Sequence, residues 1–222
     1  MVASILKTYA TGASWSTKGN LNNDIGVPLT LLGLTAAHEC AVVEMGMNHP
    51  GEIAYLANIT HASVALVNNA QREHLEFMHT VENVAIENGS CISFLDSNGI
   101  AVFPADDKFT TLWRDLANHC QVITFAINAP ADVYALEHIW QGQHWEVKAQ
   151  TPHGFCNFEL QLAGVHNVKN ALAALSCSIA AGISPEVAAI GLSAFAPVKG
   201  RSRAFEINFA NKKITIVDDS YN

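Results

Sequence analysis

Apolar and polar positions change their period along this chain, and each change marks a different kind of element. Val2, Ile5, Leu6 and Tyr9 repeat at helical spacing, so Met1 falls inside or at the edge of a helix. From Cys40 onward, short apolar runs alternate with helical patterns. "CAVVEM", "SVALVNN", "GIAVFPADD" and "QVITFAI" read as strands, with helices expected in "HPGEIAYLANI", over Val81 to Leu95 and over Phe109 to Ala117. Strands separated by helices at this pitch predict an α/β fold: βαβ units in a mostly parallel sheet with helices on both faces.

After Pro130 the period falls to two. "DVYALEHIWQGQHWEVKAQ" reads as two strands around Gln141-Gly142, and "FCNFELQLAG" as a third, a small antiparallel β insertion at one edge of the sheet. "HNVKNALAALSCSIAAG" is the strongest helical stretch and ends at Gly182. Another helix is expected over Pro185 to Phe195, with Ser184 as N-cap and Pro185 in the first helical position. Strands around Ala204–Phe209 and Lys213–Val217 close the chain, and "ITIVDDSYN" reads as a buried strand running into an acidic turn. One α/β domain is expected, and both of its ends look cut.

Composition narrows the class. Of 222 residues, 50% are hydrophobic and 14% charged, against a usual charged share of about a quarter. That describes a well-packed globule. A net charge of −8 argues against a general nucleic-acid surface, while a single nucleotide needs only a local positive pocket. No segment has the length of a membrane span, and the opening apolar stretch is too short for a signal peptide. Five cysteines, scattered and without a C-x-x-C pair, suit reduced thiols and a cytoplasmic location.

In open parallel sheets, ligands bind beyond the carboxyl ends of the strands. Those ends carry Glu44, Asn48, His49 and Glu52; then Asn68, Asn69, His74 and Glu76; then Asp106 and Asp107; and finally Asp218 and Asp219. Any one group could be turn chemistry, but polar residues at several ends point to a site. Glu44 with His74 would suit a divalent cation, and without H-x-x-H spacing magnesium beside nucleotide phosphates is preferred to zinc. Upstream, "GNLNNDIGVPLTLL" packs Asn20, Asn22, Asn23 and Asp24 together, more amide than a turn requires.

"TKGNLNNDIGVPLTLL", "AVVEMGMNHPGEI", "VALVNNA" with "HLE", "GVHNVKNALAA", "VKGRSR" and "VDDSYN" occur here in an order that resembles the bacterial Mur ligases. The likeness is strongest to the branch that adds D-alanyl-D-alanine to UDP-N-acetylmuramoyl-tripeptide, and it runs over essentially the whole chain. The resemblance implies a central ATPase-type domain, with ATP and Mg2+ as cofactors and those two molecules as substrates. ATP would phosphorylate a peptide carboxylate, and the amine of D-alanyl-D-alanine would attack the acyl phosphate. Glu44 and His74 would be the catalytic pair that holds magnesium. His166, Asn167, Asn170, Arg201 and Asp219 would meet the nucleotide, with Asn170 toward the base. Asn20, Asn22 and Asn23, assisted by Thr17 and Lys18, would face the UDP-sugar peptide. Asn167 as a helix cap and Arg201 as a solvated loop charge are the structural alternatives.

The chain departs from the family pattern in three places. The family's phosphate loop, G-x-x-G-K-T/S, is absent, and Lys199-Gly200 has the wrong order to replace it. Asn88 stands where the family carries a lysine that becomes carbamylated, and an asparagine cannot form a carbamate. The sequence covers a central domain alone, without the family's uridine-binding and C-terminal domains. Residues 1–222 are therefore expected to be an inactive or partial piece of such a ligase, completed if the missing domains come from another chain. The alternative is a non-catalytic module that retains a UDP-muramoyl-peptide or nucleotide pocket.

Overall fold

A computed structural model describes residues 1–198, 200–209 and 212–221, so Lys199 and Asn222 of the "VKGRSR" and "VDDSYN" motifs lie outside the described residues. The elements follow the chain as α1 (Val2–Tyr9), β1 (Ser14–Ser16), α2 (Gly26–Leu32), β2 (Cys40–Val42), α3 (Glu52–Thr60) and β3 (Val64–Leu66). Then come α4 (Leu75–Met78), α5 (Val81–Gly89), β4 (Ile100–Pro104), α6 (Thr110–Leu116) and β5 (Gln121–Ala126). The rest is β6 (Val133–Trp140), β7 (Trp145–Thr151), β8 (Gly154–Leu160), α7 (Val165–Ala180), α8 (Pro185–Ser193), β9 (Arg203–Phe209) and β10 (Lys212–Asp218).

The main sheet has six strands in the order β3-β4-β5-β6-β7-β8. β3 to β6 pair in parallel, and β6 to β8 antiparallel. The antiparallel strands expected as an insertion thus continue the parallel sheet, through the short register Phe125↔Val133 and Ala126↔Tyr134. β1 and β2 form a separate parallel pair, and β9 and β10 a separate antiparallel hairpin.

Helices cover both faces, and each face has its own core. Ile5 and Leu6 of α1 join Leu172 and Leu175 of α7 and Leu192 of α8 on one side. Val84 of α5, Ile92, Phe103 of β4 and Trp113 of α6 fill the other. Trp113 is fully buried, and its indole N–H donates to the Ala85 carbonyl at 2.9 Å, which satisfies the one polar atom such a ring brings inside.

α7 touches β3 through β7 and is the spine of the domain. Its buried hydroxyls, Ser176 and Ser178, return to the carbonyls of Leu172 and Ala174, each at 2.8 Å. It stops as the sequence predicts. Gly182 takes φ +80°, and the amides of Gly182 and Ile183 bond back to Ile179 and Ser178, the double closure of a Schellman motif. α8 begins with the Ser184 hydroxyl accepting from the Val187 amide. Across from it, Gly191 lets α8 press onto α1: a Cβ there would lie 2.5 Å from the Ile5 Cα, and Ser4 Oγ donates to the Gly191 carbonyl at 2.7 Å.

Some expectations need correction. The helix expected over Val81 to Leu95 is α only to Gly89, and Ser90–Phe94 continue as a 3-10 turn. There Trp113 and Leu116 crowd Gly89, and the Ser90 hydroxyl turns back onto the Glu87 carbonyl. The short α4 was not anticipated. The final strand is not buried: Ile214 is 40% and Val217 49% exposed, because the β9–β10 hairpin pairs only with itself. No helix among the described residues is long and apolar enough to cross a membrane.

Candidate functional site

The Asn-rich loop closes onto the end of β2. Asn22 Nδ2 donates to Glu44 Oε1 at 2.9 Å, and the Asn22 carbonyl accepts from the Gly46 amide at 2.8 Å. Gly46 is required for this approach, since a Cβ would fall 2.8 Å from Asn22 Nδ2. Thr17 Oγ1 accepts from the Glu44 amide at 2.8 Å. Asn23 starts α2, its Oδ1 accepting from the amides of Ile25 and Gly26. Lys18 Nζ sits 4.8 Å from the centre of the Trp15 ring, a cation–π arrangement. The Asn20 side chain is exposed and makes no hydrogen bond among the described residues.

A second group assembles where β3 ends against the first turns of α7. Asn68 Nδ2 donates to Asn170 Oδ1 at 2.9 Å, and Asn170 Nδ2 to Asn167 Oδ1 at 3.2 Å. Asn167 Nδ2 reaches the Ala163 carbonyl at 2.8 Å and lies 3.1 Å from His166 Nε2. Asn167 is buried and is not the helix cap, a place taken by Gly164 at φ +88°. Beside it Lys169 pairs with Asp106 at 2.6 Å, tying α7 to the loop after β4.

The loop after β3 also reaches α5. Asn88 Nδ2 donates to the Asn69 carbonyl at 3.2 Å and to Glu73 Oε1 at 3.3 Å. His74 follows in the left-handed region, φ +51°, and opens α4. On α4 the Phe77 ring stacks at 4.4 Å on His49 from the loop after β2. Glu87, which sequence reasoning passed over, is buried; its two oxygens accept from the amides of Gly51 and Ile53, both at 2.8 Å, and so cap α3 from α5. In the same loop Glu52 Oε2 accepts from the amides of Asn48 at 2.6 Å and His49 at 3.2 Å. The Asn48 amide, then His49, holds this carboxyl below its ordinary value.

A last group lies after β10. Asp219 Oδ1 accepts from the Ser202 amide at 2.9 Å and from its hydroxyl at 3.3 Å, while the Ser202 carbonyl accepts from the Ala163 amide at 2.8 Å. Arg201 is exposed, and its guanidinium lies 4.1 Å from the centre of the Tyr221 ring. The structure therefore brings Thr17 and Asn22 to Glu44, brings His166, Asn167 and Asn170 together, and ties Asp219 to the lead-in of α7. Glu44 and His74 are not joined by a hydrogen bond or ion pair among the described residues.

Magnesium can be tested against this donor set. Among the described residues, no cluster of three or more His, Cys, Asp or Glu side chains is arranged for a metal. Mg2+ needs less: one or two carboxylates, with phosphate and water oxygens completing the shell. Glu44 fits, with Oε1 steadied by Asn22. The His74 imidazole is the weaker match to a hard cation.

A mostly parallel sheet, an amide-rich loop on a strand-end carboxylate and a helix entered through "HNVKN" are the features to set beside known families. The family description "Mur ligase middle domain" matches residues 1–178, and the chain belongs to that family. It is 40% identical over 223 aligned residues to the UDP-N-acetylmuramoyl-tripeptide–D-alanyl-D-alanine ligase of Escherichia coli K12, with all of this chain and 48% of that protein covered. The Bacillus subtilis 168 enzyme of the same name is 32% identical over 210 residues, 93% of this chain and 43% of that protein. A crystal structure of MurF from Acinetobacter baumannii superposes with a TM-score of 0.89 at 33% identity, over all of this chain and 48% of that one. The chain spans about half the length of these relatives.

Proposed function

We propose that this domain serves peptidoglycan precursor synthesis in the bacterial cytoplasm, as the middle part of an ATP-dependent ligase. That ligase joins D-alanyl-D-alanine to UDP-N-acetylmuramoyl-tripeptide through an acyl phosphate. The observation that carries the reading is the bond from Asn22 to Glu44, which welds the loop most characteristic of that branch to the strand-end carboxylate. A relative from Thermotoga maritima, described as MurF in complex with ADP, aligns over all of this chain and half of that one, at 25% identity and a TM-score of 0.83. It supports a nucleotide site here.

In this reading each group has a task. Asn20, Asn22 and Asn23, with Thr17 and Lys18, line the approach of the UDP-sugar peptide, where amides both donate and accept without adding charge. His166, Asn167 and Asn170 orient the nucleotide from the start of α7, and Arg201 and Asp219 approach it from the chain after α8. Glu44 would hold Mg2+, with His74 as the second candidate residue for it. Magnesium, when bound, neutralises charge that develops on phosphoryl oxygens. In this reading the phosphate loop and the remaining ligase domains lie outside residues 1–222, where no G-x-x-G-K-T/S stretch occurs. Asn88 favours a second reading, a non-catalytic module that keeps the pocket, because its amide is already engaged by Asn69 and Glu73.

Calorimetry tests both readings. The chain should bind Mg-ADP, and Glu44→Ala should weaken that binding roughly tenfold, about 1.4 kcal/mol. UDP-N-acetylmuramoyl-tripeptide should bind independently, and Asn22→Ala should weaken it. Absence of binding of either ligand at millimolar concentration overturns the proposal. ATP turnover by the chain mixed with the missing domains, abolished by Glu44→Ala, selects the ligase over the passive module.

A further inference from the structure

The side-chain amides of Asn68, Asn170 and Asn167 form a relay whose direction is set by a group that cannot turn over. An asparagine amide can exchange its oxygen and nitrogen by flipping; a backbone carbonyl is an acceptor only. Asn167 lies 2.8 Å from such a carbonyl, that of Ala163. Its nitrogen must face Ala163, and its oxygen therefore faces Asn170. Asn170 in turn must offer its nitrogen to Asn167, at 3.2 Å, and its oxygen to Asn68, at 2.9 Å.

The same relay assigns a proton on His166. Asn167 Nδ2 lies 3.1 Å from His166 Nε2. An amide nitrogen only donates, so Nε2 must be the lone-pair nitrogen, and the neutral ring carries its proton on Nδ1.

We propose that Asn68 is a positioning residue of the nucleotide site: anchored on β3, it closes the relay that the Ala163 carbonyl directs, fixing Asn170 in the one amide orientation compatible with Asn167 and with the Nδ1–H tautomer of His166. The proposal rests on the reading that the first turns of α7 face the nucleotide. Asn68 is suited to this because it sits at the end of a sheet strand, 102 residues from Asn170 in sequence, and donates to it across the junction of sheet and helix. An aspartate at this position would invert the relay. A carboxylate only accepts, so Asn170 would turn its nitrogen toward residue 68 and present oxygen to Asn167. Asn167 would then have to turn as well, losing the Ala163 carbonyl and offering an oxygen to His166 Nε2, which favours the proton on that nitrogen.

The test uses this chain and its Asn68→Asp, Asn68→Gln and Asn68→Ala variants, read by long-range 1H–15N NMR of His166 without ligand and by calorimetry with Mg-ADP. The unsubstituted chain should show the Nδ1–H tautomer. Asn68→Asp should move the proton toward Nε2 and weaken Mg-ADP roughly tenfold, while Asn68→Gln, which keeps the donor, should restore both. If Asn68→Asp does not fold, Asn68→Ala, in which the Ala163 carbonyl still directs Asn167, should keep the Nδ1–H tautomer but weaken Mg-ADP by freeing Asn170. A proton on Nε2 in the unsubstituted chain, an unchanged tautomer in folded Asn68→Asp, or unchanged Mg-ADP affinity in Asn68→Ala overturns the positioning role. A shifted tautomer with unchanged ADP affinity overturns its assignment to the nucleotide site. If the unsubstituted chain shows the stated tautomer but binds no ADP, it is the nucleotide reading that fails.

Discussion

Asn22 and Glu44 come from elements 22 residues apart and meet through a single 2.9 Å bond between an amide and a carboxylate. Neither group is buried, so the bond contributes more to loop geometry than to folding energy. Asn22→Ala should cost about 1 kcal/mol or less of global stability. Hydrogen exchange should nevertheless quicken at the Gly46 amide, which bonds to the Asn22 carbonyl, and across residues 20–24. Unchanged exchange there would show that Thr17 and Asn23 hold the loop without Asn22.

Glu87 should behave differently, because its carboxylate closes buried donors. Glu87→Ala leaves the Gly51 and Ile53 amides without their acceptor, at a cost of about 2–4 kcal/mol. Glu87→Gln keeps one oxygen and should lose less. Urea unfolding of both variants gives the ranking, and equal midpoints would refute the capping role.

Gly191 has no room for a side chain. In Gly191→Ala the new Cβ would meet the backbone of Ile5, which cannot rotate aside. Over-packing of this kind costs about 1–3 kcal/mol, seen as a lower thermal midpoint. Gly182→Ala, where a Cβ meets open space but φ is positive, should cost about 1 kcal/mol through backbone strain.

The depressed Glu52 carboxyl gives a pH dependence of known sign. Because its folded value lies below its unfolded one, its contribution is present above the ordinary carboxylate range and is lost as pH falls through the folded value. The Asn48 and His49 amide resonances should therefore titrate with Glu52 in acid, and Glu52→Gln should remove that titration. The carboxylate is exposed, so the change in global stability should be small.

Thiol reactivity should divide the cysteines. Burial pushes Cys91 and Cys177 up to about 12, and burial with the nearby Glu186 charge pushes Cys156 up to about 11. The thiolate is the reactive form, so at neutral pH the buried Cys156 and Cys177 should label with an aromatic disulfide only as fast as the protein opens, and the half-buried Cys91 slowly because its thiol is raised. Cys40 and Cys120, half-buried, should label first. Early modification of Cys177 in native buffer would contradict the packing of α7.

The local signals in the sequence were sufficient for most of the elements, though not for β1, α2 or α4. The alternation around Gln141-Gly142 marked the hairpin of β6 and β7, and Ser184, Pro185 and Gly182 marked helix ends, because each acts on its immediate neighbours. Ile214, Ile216 and Val217 misled because an apolar alternation reports fitness for burial, not whether a second layer exists to bury it. The candidate groups were legible as residue types at strand ends. Its wiring was not: Asn68 finds Asn170, and Glu87 finds Ile53, only after the sheet has brought distant segments together. Glu87 carried no local warning, standing in an ordinary helical pattern.

The contact between α1 and α8 also orders the assembly of the domain during synthesis. Ser4 and Gly191 are separated by 187 residues, so the ribosome releases α1 long before its partner surface exists. Until then Ile5 and Leu6, both buried in the finished domain, lack the part of their cover that α8 supplies, with only β1, β2 and α7 to pack against. Translation must pass residue 191 before this helix can be fully sealed, which makes α1 a late-docking element although α2 to α7 all follow it in the chain.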